Sequence, residues 1–200
     1  MRKGLMMTAL LALTAAVSLS ALAADSHPAA VLGQAAPEFK LEDQTGKSVS
    51  LSDYKGKIVV LEWTNKDCPF VQRHLKAGTA TGLAEKYKGQ GVVWLEIDST
   101  STHNTATNLK TVADNKLPFP ILDDSQGTVG KTYGAKTTPD VFIVDKQGTL
   151  AYMGAMDNDP DGKKKDAVNY VAKALDEIIA GKSVSTPETK SYGCGVKYSK

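Results

Sequence analysis

The chain has 200 residues, 42% of them hydrophobic and 23% charged, with a formal net charge of +2 at pH 7. This length suits one domain with a sizeable core, and the charge balance argues against a nucleic-acid-binding surface. Only two cysteines are present, Cys68 and Cys194, which excludes a disulfide-dense scaffold.

The first residues have the pattern of a secretory signal peptide. Arg2 and Lys3 precede a mostly apolar stretch at residues 5–22, and residues 21–23 form a small-x-small cleavage site. The Ala, Ser and Thr content favours a cleaved signal over a membrane span. We therefore expect residues 1–23 to be removed and the mature protein to be periplasmic in a Gram-negative bacterium, without stable membrane insertion.

The first half of the mature chain predicts a β-hairpin followed by alternating strands and helices. In chain order we predict a polar lead-in (24–36), a hairpin (39–41 and 48–51), a buried strand (58–63), a helix interrupted at Gly78 and Gly82 (69–88), a strand (91–98), a helix ended by Pro118 (104–116) and a short extended segment (120–123).

The second half predicts a turn with a short helix, a second hairpin, a long helix and a polar tail. The respective segments are 124–133, then 141–145 with 149–153, then 163–180, and finally 182–200. In the long helix, apolar residues at Val168, Val171, Leu175 and Ile178 recur at the three-four spacing of one buried face. Early parallel β-α units and a late antiparallel hairpin together predict an α/β fold with a mixed central sheet flanked by helices.

Cys68 is the strongest candidate for a reactive residue. It follows the polar turn Asn65-Lys66-Asp67 and precedes Pro69, which suits the first turn of a helix. A cysteine at a helix N-terminus is stabilised as a thiolate by the exposed N–H groups and the helix dipole. The alternative is a small buried hydrophobic side chain.

Three segments carry a family resemblance. The N-terminal hairpin of the thioredoxin-fold redoxins resembles residues 36–39 with 46–57. Their active-site helix resembles residues 68–71 (CPFV), and their cis-proline strand resembles residues 138–145 (TPDVFIVD). That group includes TlpA-like disulfide reductases and AhpC/TSA-like peroxiredoxins. The resemblance implies a thioredoxin-like domain at residues 24–181, with an N-terminal β-hairpin extension and the tail outside it.

The sequence departs from both branches of that family. Val71 occupies the position of the second cysteine of a CxxC motif, so a local dithiol is excluded. Asn65 stands where a peroxiredoxin has Thr or Ser, three residues before its cysteine. The only arginine after the expected signal peptide, Arg73, lies on the first helix rather than on a later strand. The set of residues that activates a peroxide is therefore incomplete.

The resemblance also implies supporting roles for other residues. Glu62 matches the buried acid beneath the thioredoxin active site, where a raised pKa would let it exchange a proton with a thiol. Its alternative is a side chain at the sheet edge or paired with lysine. Pro139 would be cis, and Thr138 could pair with an extended substrate chain. Pro69 and Phe70 complete the expected substrate-binding residues.

Cys194 is the only partner available to Cys68 within the chain. The flanking Gly193 and Gly195 let the tail bend closely, so Cys194 is a candidate resolving cysteine. A static disulfide and a free thiol are the alternatives. His74 and His103 are weaker candidates, as bases.

No metal or cofactor is expected. The acidic turn at residues 157–162 resembles the start of a calcium loop, but Val168 stands where the bidentate glutamate is needed.

Three functions remain open from the sequence. The first is a thiol-disulfide oxidoreductase acting on protein thiols or disulfides and served by a periplasmic electron donor. The second is a thiol peroxidase with antioxidant activity toward small peroxides, and the third is a non-enzymatic redoxin-fold binding module.

Overall fold

The computed structural model describes Met1 and residues 29–199, so nearly all of the expected signal peptide lies outside the described residues. The described strands are β1 (Lys40–Asp43), β2 (Ser48–Ser50), β3 (Ile58–Trp63), β4 (Val92–Asp98), β5 (Ile121–Asp123), β6 (Thr137–Thr138), β7 (Asp140–Val144), β8 (Leu150–Gly154) and β9 (Cys194–Gly195). The helices are α1 (Pro69–Ala77), α2 (Thr79–Tyr87), α3 (Thr105–Asn115), α4 (Thr128–Tyr133) and α5 (Tyr170–Ile179).

Seven of these strands form one mixed sheet in the order β2-β1-β5-β4-β3-β7-β8. The central neighbours β3, β4 and β5 are parallel, whereas β7 and β8 form an antiparallel hairpin beside β3. The mixed α/β architecture with an N-terminal hairpin is therefore confirmed. In the described part of the chain, no helix is long and apolar enough to cross a membrane.

The central strand β3 is buried on both faces, so its residues belong to two separate cores. Leu61 and Trp63 face a core closed by α4 and the segment that precedes β1. Val60 faces the other core, which α1, α2 and α5 cover. Side chains alternate along a strand, so Glu62 shares the side of Val60 and lies beneath α1.

The first predicted helix is two helices. Gly78 adopts the left-handed conformation (φ 63°) and ends α1, because its N–H caps the carbonyls of the last turn. Gly82, which we also expected to interrupt the helix, lies inside α2.

The predicted long helix at 163–180 is wrong in its first part, since α5 begins only at Tyr170. Asp159 accepts hydrogen bonds from the backbone N–H groups of Lys163 and Lys164, and Asn158 accepts one from Val168. These hydrogen bonds to side chains stabilise a turn in the backbone and replace the hydrogen bonds of a helix. Val168 is consequently 42% exposed rather than on a buried face.

The polar tail runs across the domain instead of projecting from it. At the edge of the sheet, the Thr189 N–H donates to the Met153 carbonyl and the Met153 N–H donates to the Pro187 carbonyl. Further along, β9 pairs antiparallel with β6, and Val196 donates to the carbonyl of Lys136. The Tyr198 hydroxyl donates to the Ala135 carbonyl at 2.8 Å. Cys194 is thereby brought opposite Thr138.

Candidate active site

Cys68 is the N-cap residue of α1, directly after the turn that follows β3. Its N–H donates to the Asn65 carbonyl at 3.0 Å, its carbonyl accepts from Gln72, and Pro69 begins the helix as predicted. The residue is 1% exposed. The helix N-terminus, which favours a negative charge, therefore lies at a sulfur shielded from solvent.

The other wall of the site is the connection between β6 and β7. The Thr138–Pro139 peptide bond is cis, as predicted. The thiol of Cys68 donates to the Thr138 carbonyl at 3.0 Å. Residues 70 positions apart in the sequence thus meet at the carboxyl end of β3.

Cys194 completes the site from the tail. In the β6–β9 pair it lies opposite Thr138, the residue whose carbonyl accepts the hydrogen bond from Cys68, and each of the two thiols shifts the pKa of the other. Both cysteines are free thiols in this structure. The tail thus occupies the backbone edge at Thr138 that we expected an extended substrate chain to use, and it places a second thiol against the first.

The environment separates the acidities of the two thiols. Burial alone would raise the pKa of Cys68. The influence of the Cys194 thiol, followed by that of Thr138 and of the Val71 N–H, outweighs burial, so the pKa of Cys68 is below its ordinary value. Burial, and then the neighbouring Cys68 thiol, raise the pKa of Cys194 to about 11. Cys68 is therefore the thiol that ionises first.

Glu62 is 2% exposed and lies beside Glu96 in the parallel β3–β4 pair. Burial raises its pKa to about 7, although Trp94 Nε1 donates to the carboxylate at 3.1 Å. The pKa of Glu96 is also raised, by burial and by the neighbouring Glu62. The alternative of a sheet-edge or lysine-paired Glu62 is wrong.

A cavity of about 10 Å³ lies next to the two carboxyl groups, between the sheet and the first two helices. Its lining is Glu62, Val71, His74, Leu75, Ala80, Thr81 and Glu96. The described hydrogen bonds of Glu62 and of the Cys68 thiol go to Trp94 and to Thr138, respectively, and none joins the two groups, so exchange of a proton between them requires a carrier. The volume corresponds to about one water molecule.

A polar cluster holds the tail beside α1. Arg73 donates to the Tyr192 hydroxyl at 2.8 Å, and His74 Nε2 lies 3.1 Å from the same oxygen. The Tyr192 hydroxyl in turn donates to Asp157. Phe70 packs on the Tyr192 ring with centroids 5.9 Å apart, so this expected substrate-binding residue contacts the tail.

The two histidines have distinct structural settings. Burial, reinforced by the Arg73 charge, lowers the pKa of His74 to about 4, so the ring is neutral near pH 7. His103 bridges two acids, with Nδ1 2.7 Å from Asp98 and Nε2 3.1 Å from Asp67 in the turn before Cys68. Neither histidine has a hydrogen bond to a cysteine among the described contacts. His103 therefore fixes the turn that presents Cys68.

Sequence reasoning missed Tyr192 and Asp157 as parts of this site. One signal was available, since Tyr192 is an aromatic residue two positions before the Gly-flanked Cys194 in an otherwise polar tail. Asp157 carried no such signal, because it lies in a turn and meets Arg73 and Tyr192 only through the tertiary structure.

Comparisons with known proteins agree with this geometry. The AhpC/TSA family model matches residues 32–153. The thiol-disulfide oxidoreductase ResA of Bacillus thuringiensis subsp. konkukian is 33% identical over 119 residues, which is 60% of this chain and 66% of that protein. Chloroplastic peroxiredoxin Q of Triticum aestivum is 31% identical over 137 residues, 60% of this chain and 57% of that protein. The chain thus covers less than two thirds of either relative.

The solved structure of a hypothetical protein from Sinorhizobium meliloti 1021 superposes with a TM-score of 0.76 at 29% identity. It covers 86% of this chain and 97% of that one. The sheet order, the cis-proline and the structural neighbours together make the fold thioredoxin-like.

Proposed function

The chain belongs to the AhpC/TSA family, and on that premise we propose that it is a thiol-disulfide oxidoreductase. In this proposal Cys68 is the nucleophile and Cys194 is the resolving cysteine. The observation that carries the proposal is that both cysteines meet at Thr138, beside the cis-proline: the Cys68 thiol donates to the Thr138 carbonyl, and Cys194 lies opposite Thr138 in the β6–β9 pair. The likeness to ResA supports the same reaction class.

The reaction runs in two exchange steps. The Cys68 thiolate attacks one sulfur of a substrate disulfide, forming a mixed disulfide and releasing the first substrate thiolate. Cys194, as its thiolate, then attacks the sulfur of Cys68, forming the 68–194 disulfide and releasing the second substrate thiol. The substrate gains two electrons and the protein loses two. An external dithiol donor returns the protein to its reduced form.

We place this reaction in the periplasm, since residues 1–23 have the pattern of a signal peptide. An oxidising compartment suits a protein with two cysteines that exchange between thiol and disulfide. Its substrates are then protein thiols or disulfides and its donor is a periplasmic reductant. The substrate meets the edge formed by Thr138, Pro139 and Pro69 by displacing the tail, which pairs with Thr138 in the reduced protein.

The test is reduction of a model protein disulfide by the fully reduced mature chain. Wild type is expected to release two substrate thiols per protein and to acquire the 68–194 disulfide, both measured by mass spectrometry after acid quenching. Cys194→Ser should stop at a Cys68 mixed disulfide, and Cys68→Ser should not react. If the wild-type protein never forms the 68–194 bond while substrate is reduced, the resolving role is wrong.

A thiol peroxidase is the second candidate, favoured by the enclosure of Cys68. A peroxide is small enough to reach a sulfur that is 1% exposed without moving the tail, whereas a protein disulfide must displace it. Against it, the side chain of Asn65 accepts from the Asp67 N–H and Arg73 is engaged by Tyr192. Rapid oxidation of Cys68 to sulfenic acid in Cys194→Ser at micromolar peroxide would favour this candidate.

A further inference from the structure

Tyr192 is a tail side chain whose hydroxyl is bound by two charged groups. Its hydroxyl meets the guanidinium of Arg73 and the carboxylate of Asp157, and a pair of charged partners makes such hydrogen bonds stronger than neutral ones. Arg73 and Asp157 also lie 3.7 Å apart, forming an ion pair around the phenol.

These groups form a pocket that fits a phenol. The floor is His74, stacked on the Tyr192 ring with centroids 6.4 Å apart, and one wall is Phe70. Burial, together with the hydrogen bond to Asp157, raises the pKa of Tyr192 above its ordinary value, so the phenol keeps the proton that it donates. We call Phe70, Arg73, His74 and Asp157 the phenol pocket.

Gly193 connects Tyr192, which sits in the phenol pocket, to Cys194, and its backbone approaches the Thr138 carbonyl closely. Gly193 has φ +139°, and a Cβ at this position would overlap the Thr138 carbonyl. A side chain is therefore excluded between Tyr192 and Cys194. With the phenol in its pocket, the backbone at residue 193 lies against the Thr138 carbonyl and Cys194 lies opposite Thr138.

We propose that Tyr192 is the positioning residue of the resolving reaction, with the phenol pocket setting the register in which Cys194 meets Cys68. This inference rests on the proposed function, since it assigns a residue to the step in which Cys194 attacks Cys68. Strand pairing alone is weak here, because β9 has only two residues. The neighbouring anchors, at Thr189 and Val196, hold the tail on either side but not the cysteine itself.

The tail supplies a matched control. Tyr198 is a second tail phenol, and its hydroxyl donates to the neutral carbonyl of Ala135. Its ring packs over Gly127 and Gly130, away from the phenol pocket. Tyr192→Phe and Tyr198→Phe each remove one tail hydroxyl and keep the ring, but only the first acts on the segment before Cys194.

The experiment measures the equilibrium of the 68–194 disulfide against glutathione. Reduced protein is mixed with oxidised and reduced glutathione, quenched with acid, alkylated and analysed by mass spectrometry. One oxidised glutathione is converted to two thiols for each protein disulfide formed, so the ratio gives the effective concentration of Cys194. Tyr192→Phe should lower it about tenfold, as expected for a lost hydrogen bond to charged groups. Tyr198→Phe should lower it less than about threefold.

A second readout separates positioning from general stability. In a Cys194→Ser background, Tyr192→Phe should raise the alkylation rate of Cys68 more than Tyr198→Phe does, because loosening the segment before residue 194 uncovers the shielded sulfur. The inference would be overturned if Tyr192→Phe had the same effective concentration as wild type, or if the effective concentration fell equally in both tyrosine variants. Either result would leave the proposed function intact. Absence of the 68–194 disulfide from wild type at every glutathione ratio would instead overturn the proposed function.

Discussion

Replacing Glu62 by glutamine changes the charge of the buried carboxyl pair without changing its volume. Glu62 is 2% exposed and accepts a hydrogen bond from Trp94, which the glutamine oxygen can also accept. The substitution thus removes the titrating proton and keeps the packing. We expect its effect on stability to depend on pH, and the sign follows from the raised pKa.

A carboxyl group whose native pKa lies above its unfolded value binds protons more tightly in the folded state. Its contribution to stability is complete below the unfolded pKa and is lost as the pH rises through the native pKa. For Glu62 these limits are 4.5 and about 7. The difference corresponds to about 3 kcal/mol of unfolding free energy, lost between about pH 4 and pH 8.

The assay is chemical denaturation of wild type and Glu62→Gln across that range. The variant should resemble wild type near pH 4 and exceed it by about 3 kcal/mol near pH 8. Glu85→Gln, which removes an exposed acid from α2, is the control and should track wild type throughout. A constant difference between wild type and Glu62→Gln at all pH values would refute the reasoning.

The catalytic consequence of the same change is measured separately. We expect Glu62→Gln to slow turnover and to flatten its pH dependence around pH 7, because the carboxyl group that exchanges protons is gone. Unchanged activity with an unchanged pH profile would make Glu62 a purely structural residue.

Three further predictions concern the cysteines and the tail. Cys68 should show an alkylation inflection below the ordinary thiol value of about 8.5. In Cys194→Ala the inflection should move upward, since a neighbour that lowers the pKa of Cys68 is lost, and no movement would contradict that influence. Gly193→Ala should expose the tail to proteolysis and reduce formation of the 68–194 disulfide at least tenfold, because its Cβ meets the Thr138 carbonyl. Gly195→Ala, whose nearest neighbour is 4.0 Å away, should behave as wild type, and equal damage in both variants would refute the close-contact argument.

Local signals in the sequence sufficed for most elements of the fold. Alternating or continuous apolar runs predicted β3, β4 and the β7–β8 hairpin, and the Cys68-Pro69 step predicted the start of α1. These patterns depend on neighbouring residues, so a single sequence contains them. The helix predicted at residues 163–169 is wrong because a local pattern does not include hydrogen bonds made by residues outside the segment. Here the side chains of Asn158 and Asp159 accept hydrogen bonds from that backbone and hold it in a turn.

The sequence by itself determined which groups are available for chemistry. It contains two cysteines and no CxxC, so any disulfide within the chain must join Cys68 to Cys194. It also placed Glu62 on a buried strand and Pro139 in a family-like cis position, and the structure confirms the burial and the cis bond.

Only the tertiary structure decided where the tail goes and what it does to the site. The tail is long enough for Cys194 to reach any face of the domain, and the sequence of the tail alone does not indicate which face it contacts. The choice was made by distant groups that the fold assembles, namely the β6 edge, the phenol pocket and the Gly193 contact with Thr138. The pairing of Glu62 with Glu96 arose in the same way, since strand register brings together carboxyl groups that each strand carries alone.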